Sequence, residues 1–104
     1  MIVYLHAVYP GHSAKKVLDA FMSPDIPKRP ADVKDLGSVT YSDRDGFHGV
    51  FLFEVEDSKL AELLKAQGER NVFLGSRAEG VKLEVQVGLS IAEGVPMALK
   101  QLPK

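Results

Sequence analysis

The chain has 104 residues, of which 45% are hydrophobic and 26% are charged, with a formal net charge of −1 and no cysteine. This length predicts one domain with a single packed core. The charge gives no reason to expect a polyanionic partner, and the lack of cysteine excludes disulfides, thiolate catalysis and cysteine-bound metals.

The beginning of the chain predicts a strand, a helix and an irregular crossing. Residues 1–9 are largely apolar on both sides of an extended chain, which is typical of a central strand. After the break at Pro10-Gly11, Ser13 is a candidate cap for a first helix. The apolar face of that helix follows at helical spacing: Ala14, Val17, Leu18 and Phe21. Three prolines within residues 23–36 predict an irregular surface crossing.

The middle of the chain predicts a β-hairpin. A second strand over residues 37–42 and a third over residues 47–55 flank the turn Asp43-Arg44-Asp45-Gly46, in which Asp-Gly is the strongest turn signal. The third strand has an aromatic side and a mixed side. The aromatic side carries Phe47, Phe51 and Phe53, and the other side carries His48, Val50, Leu52 and Glu54.

The second half predicts a helix, a strand and a tail. Asp57 or Ser58 is the candidate cap of the second helix, and Gly68 marks a point where that helix ends or bends. For residues 69–80, both a further helical turn and a brief extended piece stay open. The fourth strand, residues 81–87, alternates strictly between apolar and polar residues, so only one of its sides packs on a core. In the tail, Pro96 predicts the start of a short helix that ends at Leu102.

This order of elements, βαββαβ, is that of the ferredoxin-like plait, an α+β fold. Right-handed crossovers then give an antiparallel sheet in the order 4-1-3-2 with both helices on one face. We expect residues 1–88 to form this domain and residues 89–104 to form a C-terminal tail.

The sheet face without helices is predicted to be partly apolar. The alternation of the fourth strand directs Val81, Leu83, Val85 and Val87 toward the helices, together with the aromatic side of the third strand. The open face then carries Ile2, Tyr4, His6, Val8, His48, Val50, Leu52, Glu54, Lys82, Glu84 and Gln86. Covering one large aliphatic side chain is worth about 1.5–3 kcal/mol, so such a face predicts an interface or a ligand groove. We expect a homodimer through this face, with a pocket between the subunits.

His6 and His48 are the sharpest local signal for chemistry. Both lie on the open face, and the topology brings them to the same end of the sheet, near Lys82 or Glu84. Because histidine titrates near neutral pH, both are candidate acid/base residues. The alternative is a hydrogen-bonded pair at an interface or a sheet rim. The predicted ligand-binding residues are Tyr4, His6, His48, Val50, Leu52 and Glu84.

No metal site and no cofactor are predicted. The histidines lack HxH or HxxxH spacing, and Asp43-x-Asp45-Gly46 lacks the later glutamate of a calcium loop. The sequence contains no Gly-x-Ser-x-Gly elbow. No apolar run approaches the about 20 residues that span a bilayer, and the start of the chain lacks the basic segment of a signal peptide. We therefore expect a cytoplasmic protein with no membrane partner.

An RNA-binding module is a further alternative, because the plait is also the fold of the RNA-recognition motif. The stretches Val3-Tyr4-Leu5-His6 and Gly46-Phe47-His48-Gly49-Val50-Phe51 loosely resemble its two signatures. The alternation of the fourth strand, however, turns the phenylalanines inward, where they cannot stack on bases. We therefore expect no nucleic-acid partner.

The order of elements resembles the dimeric α+β barrel superfamily. Within it, Pro30, Val33-Lys34, Leu36-Gly37, the Gly46 hairpin and Glu54-Val55-Glu56-Asp57 are similar to a family of small bacterial proteins of unknown function. The resemblance implies a sheet-to-sheet dimer and carries over no catalytic residue. It also implies that monooxygenases, isomerases, haem-handling enzymes and pure ligand binders are among the wider relatives.

Two main hypotheses for the function follow. The first is a non-catalytic homodimer that binds a small molecule in a pocket on the sheet face. The second is a cofactor-free enzyme of monooxygenase or isomerase type. In that enzyme His6 or His48 would act as acid or base, and Tyr4 or Glu84 would position the substrate.

Overall fold

The structure, a computed structural model, describes residues 1–101. Its elements are β1 (Ile2–Tyr9), α1 (Ala14–Phe21), β2 (Lys34–Asp43), β3 (Gly46–Glu54), α2 (Leu60–Arg77), β4 (Lys82–Gly88) and α3 (Ile91–Gln101). Short 3₁₀ turns at Gly11–Ser13 and Asp57–Lys59 precede α1 and α2. The chain is α+β, with one sheet and three helices. In this part of the chain, the helices are too short or too polar to cross a membrane.

The four strands form one antiparallel sheet in the order β2-β3-β1-β4. This is the predicted order 4-1-3-2 seen from the other edge, so the prediction is confirmed. The register places His6 of β1 opposite Val50 of β3 and opposite Glu84 of β4. His6 on β1 therefore lies between β3 and β4, the two strands that were expected to supply the other residues of the site.

The core lies between one face of the sheet and the helices α1 and α2. Its buried cluster is Val3, Leu5, Phe53, Val55 and Leu63, and Phe51, Leu83 and Val85 pack against it. The ring of Phe21 in α1 lies 6.3 Å from that of Phe51, so α1 covers the same face as α2. The predicted inward sides of β3 and β4 are confirmed, and the opposite face of the sheet is left without a helix of its own chain.

The predicted hairpin turn is also confirmed, since Asp43 pairs with Gly46 across it. Gly46 has a φ of +121°, and a Cβ at this position would collide with the carbonyl oxygen of Tyr9. Only glycine fits this close approach between the hairpin and the end of β1. β2 begins at Lys34 rather than at residue 37, because a bulge between Asp35 and Gly37 lets pairing with β3 continue.

Three local predictions were wrong. Ser13 does not cap α1 with its side chain; its hydroxyl donates instead to the carbonyl oxygen of Glu79, 2.5 Å away. Neither Asp57 nor Ser58 caps α2: both lie in the 3₁₀ turn before it, and α2 starts at Leu60 after Lys59. The same helix passes through Gly68 without ending and continues to Arg77, because its distal part still buries Leu74. The open question about residues 69–80 is thus decided largely in favour of helix.

The tail helix α3 begins at Ile91, so the predicted start at Pro96 was wrong. Its first turn is capped by the side chain of Ser90, whose hydroxyl accepts from the backbone N–H of Glu93 at 3.3 Å and donates to the carboxylate of Glu93 at 3.1 Å. Pro96 lies inside the helix. Between residues 91 and 101 no side chain of α3 is buried. The predicted end at Leu102 lies outside the described residues.

Candidate functional site

Two histidines and an aspartate form a continuous hydrogen-bonded chain on the open face of the sheet. Nε2 of His6 lies 2.8 Å from Nδ1 of His48, and Nε2 of His48 lies 2.7 Å from Oδ1 of Asp43. His48 is only 6% exposed, whereas His6 is half-buried and Asp43 is exposed. We call these three residues the His–His–Asp chain.

Strand register explains why these residues meet. His6 is paired with Val50, so His48 is its diagonal neighbour on the same face. Diagonal neighbours across antiparallel strands lie about 7–8 Å apart at Cα, which two imidazole rings can bridge. Asp43, the last residue of β2, is likewise diagonal to His48, whose direct partner in β2 is Tyr41. The chain therefore crosses three neighbouring strands.

Aromatic stacking fixes the orientation of His48. The ring of Tyr41 stacks on it with centroids 4.4 Å apart and an angle of 7°, and the ring of His6 lies at 5.1 Å and 18°. Tyr4 is tilted against His6, with ring centroids 6.3 Å apart. With both of its nitrogens hydrogen-bonded, His48 is held rigidly between β1 and β2.

The charge on Asp43 decides which nitrogen of His48 donates. The bond from His48 lowers the pKa of Asp43, and a 2.8 Å bond from the backbone N–H of Asp45 lowers it further. At neutral pH Asp43 is therefore an ionised carboxylate, which can only accept, so Nε2 of His48 carries a proton. With both rings neutral, Nδ1 of His48 accepts from Nε2–H of His6. The basic nitrogen at the end of the chain is then Nδ1 of His6.

The structure brings together most of the residues predicted for the site. Tyr4 and Val50 flank His6, and Leu52 lies opposite Tyr4 with 38% of its surface exposed. Glu84 lies opposite His6 in β4, but its carboxylate accepts from the side-chain amide of Gln86 and is not part of the His–His–Asp chain.

Sequence reasoning missed Asp43 and Tyr41. Asp43 was interpreted as a hairpin residue and not as part of a site. The residues of β2 that pair with His48 were not predicted. The available signal was the hairpin itself, since its two-residue loop pairs Tyr41 with His48 once Asp43 is paired with Gly46.

Open depressions flank both ends of the His–His–Asp chain. One of about 340 Å³ is lined by Tyr41 and His48 but also by Phe47 and by Leu18 of α1, so it reaches beyond the open face. One of about 230 Å³ is lined by His6, Val8, Lys82, Leu83 and Glu84. A larger depression of about 480 Å³ lies on the helical side, next to Lys16, Asp19 and Arg77. None of the histidines lines this depression, and its volume alone does not indicate a chemical function. We therefore assign the candidate site to the open face.

Asp43, Asp45 and His48 each offer one ligand atom, and these atoms lie within 4.8 Å of one another. Both nitrogens of His48 are already hydrogen-bonded, however, to Asp43 and to His6. A metal ion would have to replace one of those bonds, and the hairpin explains the two aspartates without it. The three side chains are thus joined by hydrogen bonds, and we assign no metal to the His–His–Asp chain.

Comparisons with known proteins add little to this geometry. No protein-family model matches the chain, and no curated protein matches it. Among solved structures, the chain is similar to a DUF3240 family protein from Shewanella baltica OS155, with 13% sequence identity and a TM-score of 0.32. The match covers 86% of this chain and 96% of that one. At this TM-score the likeness carries no argument about fold or function.

Proposed function

We propose that the chain forms a homodimer through its open sheet face and binds a small molecule at the His–His–Asp chain. The observation that carries the proposal is the pairing of His6 and His48 on a sheet face that no helix within residues 1–101 covers. The element order and the strand order support a ferredoxin-like plait of the dimeric α+β barrel type.

Exposed apolar side chains support the homodimer. On the open face, Val39 is 61% exposed, Tyr41 44% and Leu52 38%. Fully covering such side chains is worth about 1.5–3 kcal/mol each, which is large beside the about 5–15 kcal/mol of a domain's net stability. A second sheet packs face to face at about 10 Å, so the side chains of the two open faces would meet and cover one another.

The composition of the site supports binding. Small-molecule sites combine apolar walls with a few polar groups in fixed positions. Here Val50 and Leu52 supply the apolar wall, and His48 is fixed by stacking and by two hydrogen bonds. A ligand with a hydrogen-bond donor next to an apolar or aromatic body would complement Nδ1 of His6.

Thermal-shift measurements on a panel of small aromatic and carboxylic acids, alcohols and amides test the binding proposal. We expect at least one compound to raise the Tm of the wild type, and to raise that of His6→Ala by clearly less. His12→Ala is the matched control, because His12 is exposed and lies in the 3₁₀ turn before α1. Equal shifts in all three proteins, or no shift with any compound, would contradict the proposal.

A second candidate function is that of a cofactor-free enzyme, and the direction of the hydrogen bonds favours it. The carboxylate of Asp43 orients His48, which in turn orients His6, so a proton accepted at Nδ1 of His6 is stabilised through the chain. Tyr4, next to His6, would position the substrate. This arrangement fits proton transfer within a bound substrate, as in an isomerase, and it also fits deprotonation of a substrate that then reacts with oxygen.

Hydrogen–deuterium exchange into a bound compound separates the two functions. An enzyme would catalyse exchange of an acidic C–H of a compound found in the panel, and His6→Ala would abolish that exchange. His12→Ala would leave it unchanged. A pure binder would show binding without exchange, and that result would remove the enzyme from consideration.

A further inference from the structure

The C-terminal helix α3 carries an apolar stripe that its own chain leaves bare. Ile91, Val95 and Leu99 recur every four residues, so they lie on one side of the helix, whereas Glu93 and Lys100 lie on the other. The three apolar residues are 83%, 48% and 63% exposed. Such a stripe is typical of a helix that packs on something.

The shape of the chain shows that α3 is not folded onto the domain. The described chain measures 51 × 33 × 19 Å and has a radius of gyration of 15.7 Å. A compact domain of this length has a radius of gyration of about 13 Å. The larger radius of gyration, together with the exposure of α3, means that the apolar stripe is available to pack on a surface outside its own subunit.

A second bare apolar surface lies at the opposite edge of the same sheet. α3 follows β4, which is one edge, whereas Val39 lies in β2, the other edge, with Leu52 in the neighbouring β3. A two-fold axis parallel to the strands turns two open faces toward each other and brings β4 of one copy next to β2 of its partner. The two bare surfaces then come to the same side of the assembly.

The area of the sheet face favours this arrangement. Four strands about 4.8 Å apart and about seven residues long at about 3.3 Å each present a face of about 450 Å². A standard interface buries about 800 Å² on each partner. A helix about 16 Å long and about 10 Å across adds roughly 160 Å² of its own surface on each partner, which brings the interface nearer to that value.

We propose that α3 of each chain packs on β2 and β3 of a second copy, with its apolar stripe against Val39 and Leu52. The inference rests on the proposed homodimer and adds the exchange of C-terminal helices to it. Each helix would close the β2 edge of its partner's open face, beside Tyr41, and so would help to cover the site of the other subunit.

Because the chain has no cysteine, introduced cysteines test this contact directly. The double variant Val39→Cys/Val95→Cys should form a covalent dimer under mild oxidation, seen as a doubled mass under denaturing, non-reducing conditions. The matched control Val39→Cys/Lys100→Cys places the second thiol on the polar side of α3. We expect the control to cross-link at least fivefold more slowly.

A second measurement separates failure of this inference from failure of the dimer. Val95→Asp/Leu99→Asp should raise the dissociation constant of the dimer at least tenfold in sedimentation experiments, whereas Lys100→Asp should change it by less than twofold. A wild-type chain that stays monomeric would overturn the homodimer and the helix exchange together. A stable dimer with equal cross-linking in both cysteine pairs, or with a bridge inside one chain, would overturn the helix exchange alone.

Discussion

The Nε2 atom of His48 lies 2.7 Å from Oδ1 of Asp43, across the turn that joins β2 to β3. The bond links the buried ring of His48 to an exposed carboxylate. The other nitrogen of this ring is hydrogen-bonded to His6 on β1. A turn that the sequence explains by backbone geometry alone therefore also supplies the acidic end of the candidate site.

Replacing His48 should destabilise the fold measurably. In His48→Gln the stacking on Tyr41 is lost, and the bonds to His6 and Asp43 are lost or weakened. Replacing a buried side chain that is stacked and hydrogen-bonded typically costs about 0.5–3 kcal/mol. Urea unfolding should show a loss of that size, and the exposed control His12→Gln should stay within about 0.5 kcal/mol of the wild type. Equal stability of both variants would mean that the His–His–Asp chain does not form in solution.

The lowered pKa of Asp43 predicts a specific pH dependence. A carboxyl group whose pKa is depressed in the folded state contributes stability above its ordinary pKa and loses that contribution as the pH falls through the folded value. Asp43→Asn should therefore be less stable than the wild type at neutral pH, and the difference should shrink at about pH 3 and below. Thermal melts over this range provide the measurement.

The control for this experiment is Asp19→Asn, which changes an exposed aspartate on the opposite side of the sheet, in α1. Its difference from the wild type should stay nearly constant with pH. A gap between Asp43→Asn and the wild type that widened in acid would have the wrong sign and would contradict the bond from His48 to Asp43.

The position of the core predicts a sharp contrast between two adjacent leucines of α2. Leu63 is 1% exposed and belongs to the buried cluster, whereas Leu64 is 37% exposed. Leu63→Ala should lower the free energy of unfolding by about 2–5 kcal/mol. Leu64→Ala should lower it by roughly 1 kcal/mol or less. Similar losses in chemical denaturation would mean that α2 presents a different face to the sheet.

The faces of the sheet could be predicted because alternation is a local property. The strict pattern of residues 81–87 sufficed to place Leu83 and Val85 inward and Glu84 outward. The turn at Gly46 could also be predicted from the sequence, because few residues other than glycine tolerate its backbone angles. These two signals give the strand pairing, and the pairing brings His6 near His48.

The errors arose where a weak local signal competed with a longer-range contact. Gly68 lowers helix propensity by about 1 kcal/mol, but the burial of Leu74 in a later turn outweighs it. Pro96 was interpreted as a helix start because proline fits the first turn of a helix, but Ser90 caps α3 earlier in the chain and Pro96 lies inside the helix. The bond from Asp43 to His48 depends on side-chain rotamers that no pattern of residue types specifies.

The open face makes a further prediction about assembly. Leu52→Asp introduces a charge among its apolar residues and should weaken the dimer at least tenfold, which corresponds to about 1.4 kcal/mol. Val72→Asp is the matched control, because Val72 is 74% exposed in α2, away from the open face. Circular dichroism should show both variants folded. Unchanged association of Leu52→Asp would mean that another surface joins the subunits.

The most direct test of the account is the mass of the wild-type chain in solution. Sedimentation equilibrium from low to high micromolar concentration measures it without labels or substitutions. We predict a species with twice the mass of one chain, which dissociates on dilution. A monomer throughout this range would leave Val39, Tyr41 and Leu52 in water and would contradict the claim that a second copy covers the open face.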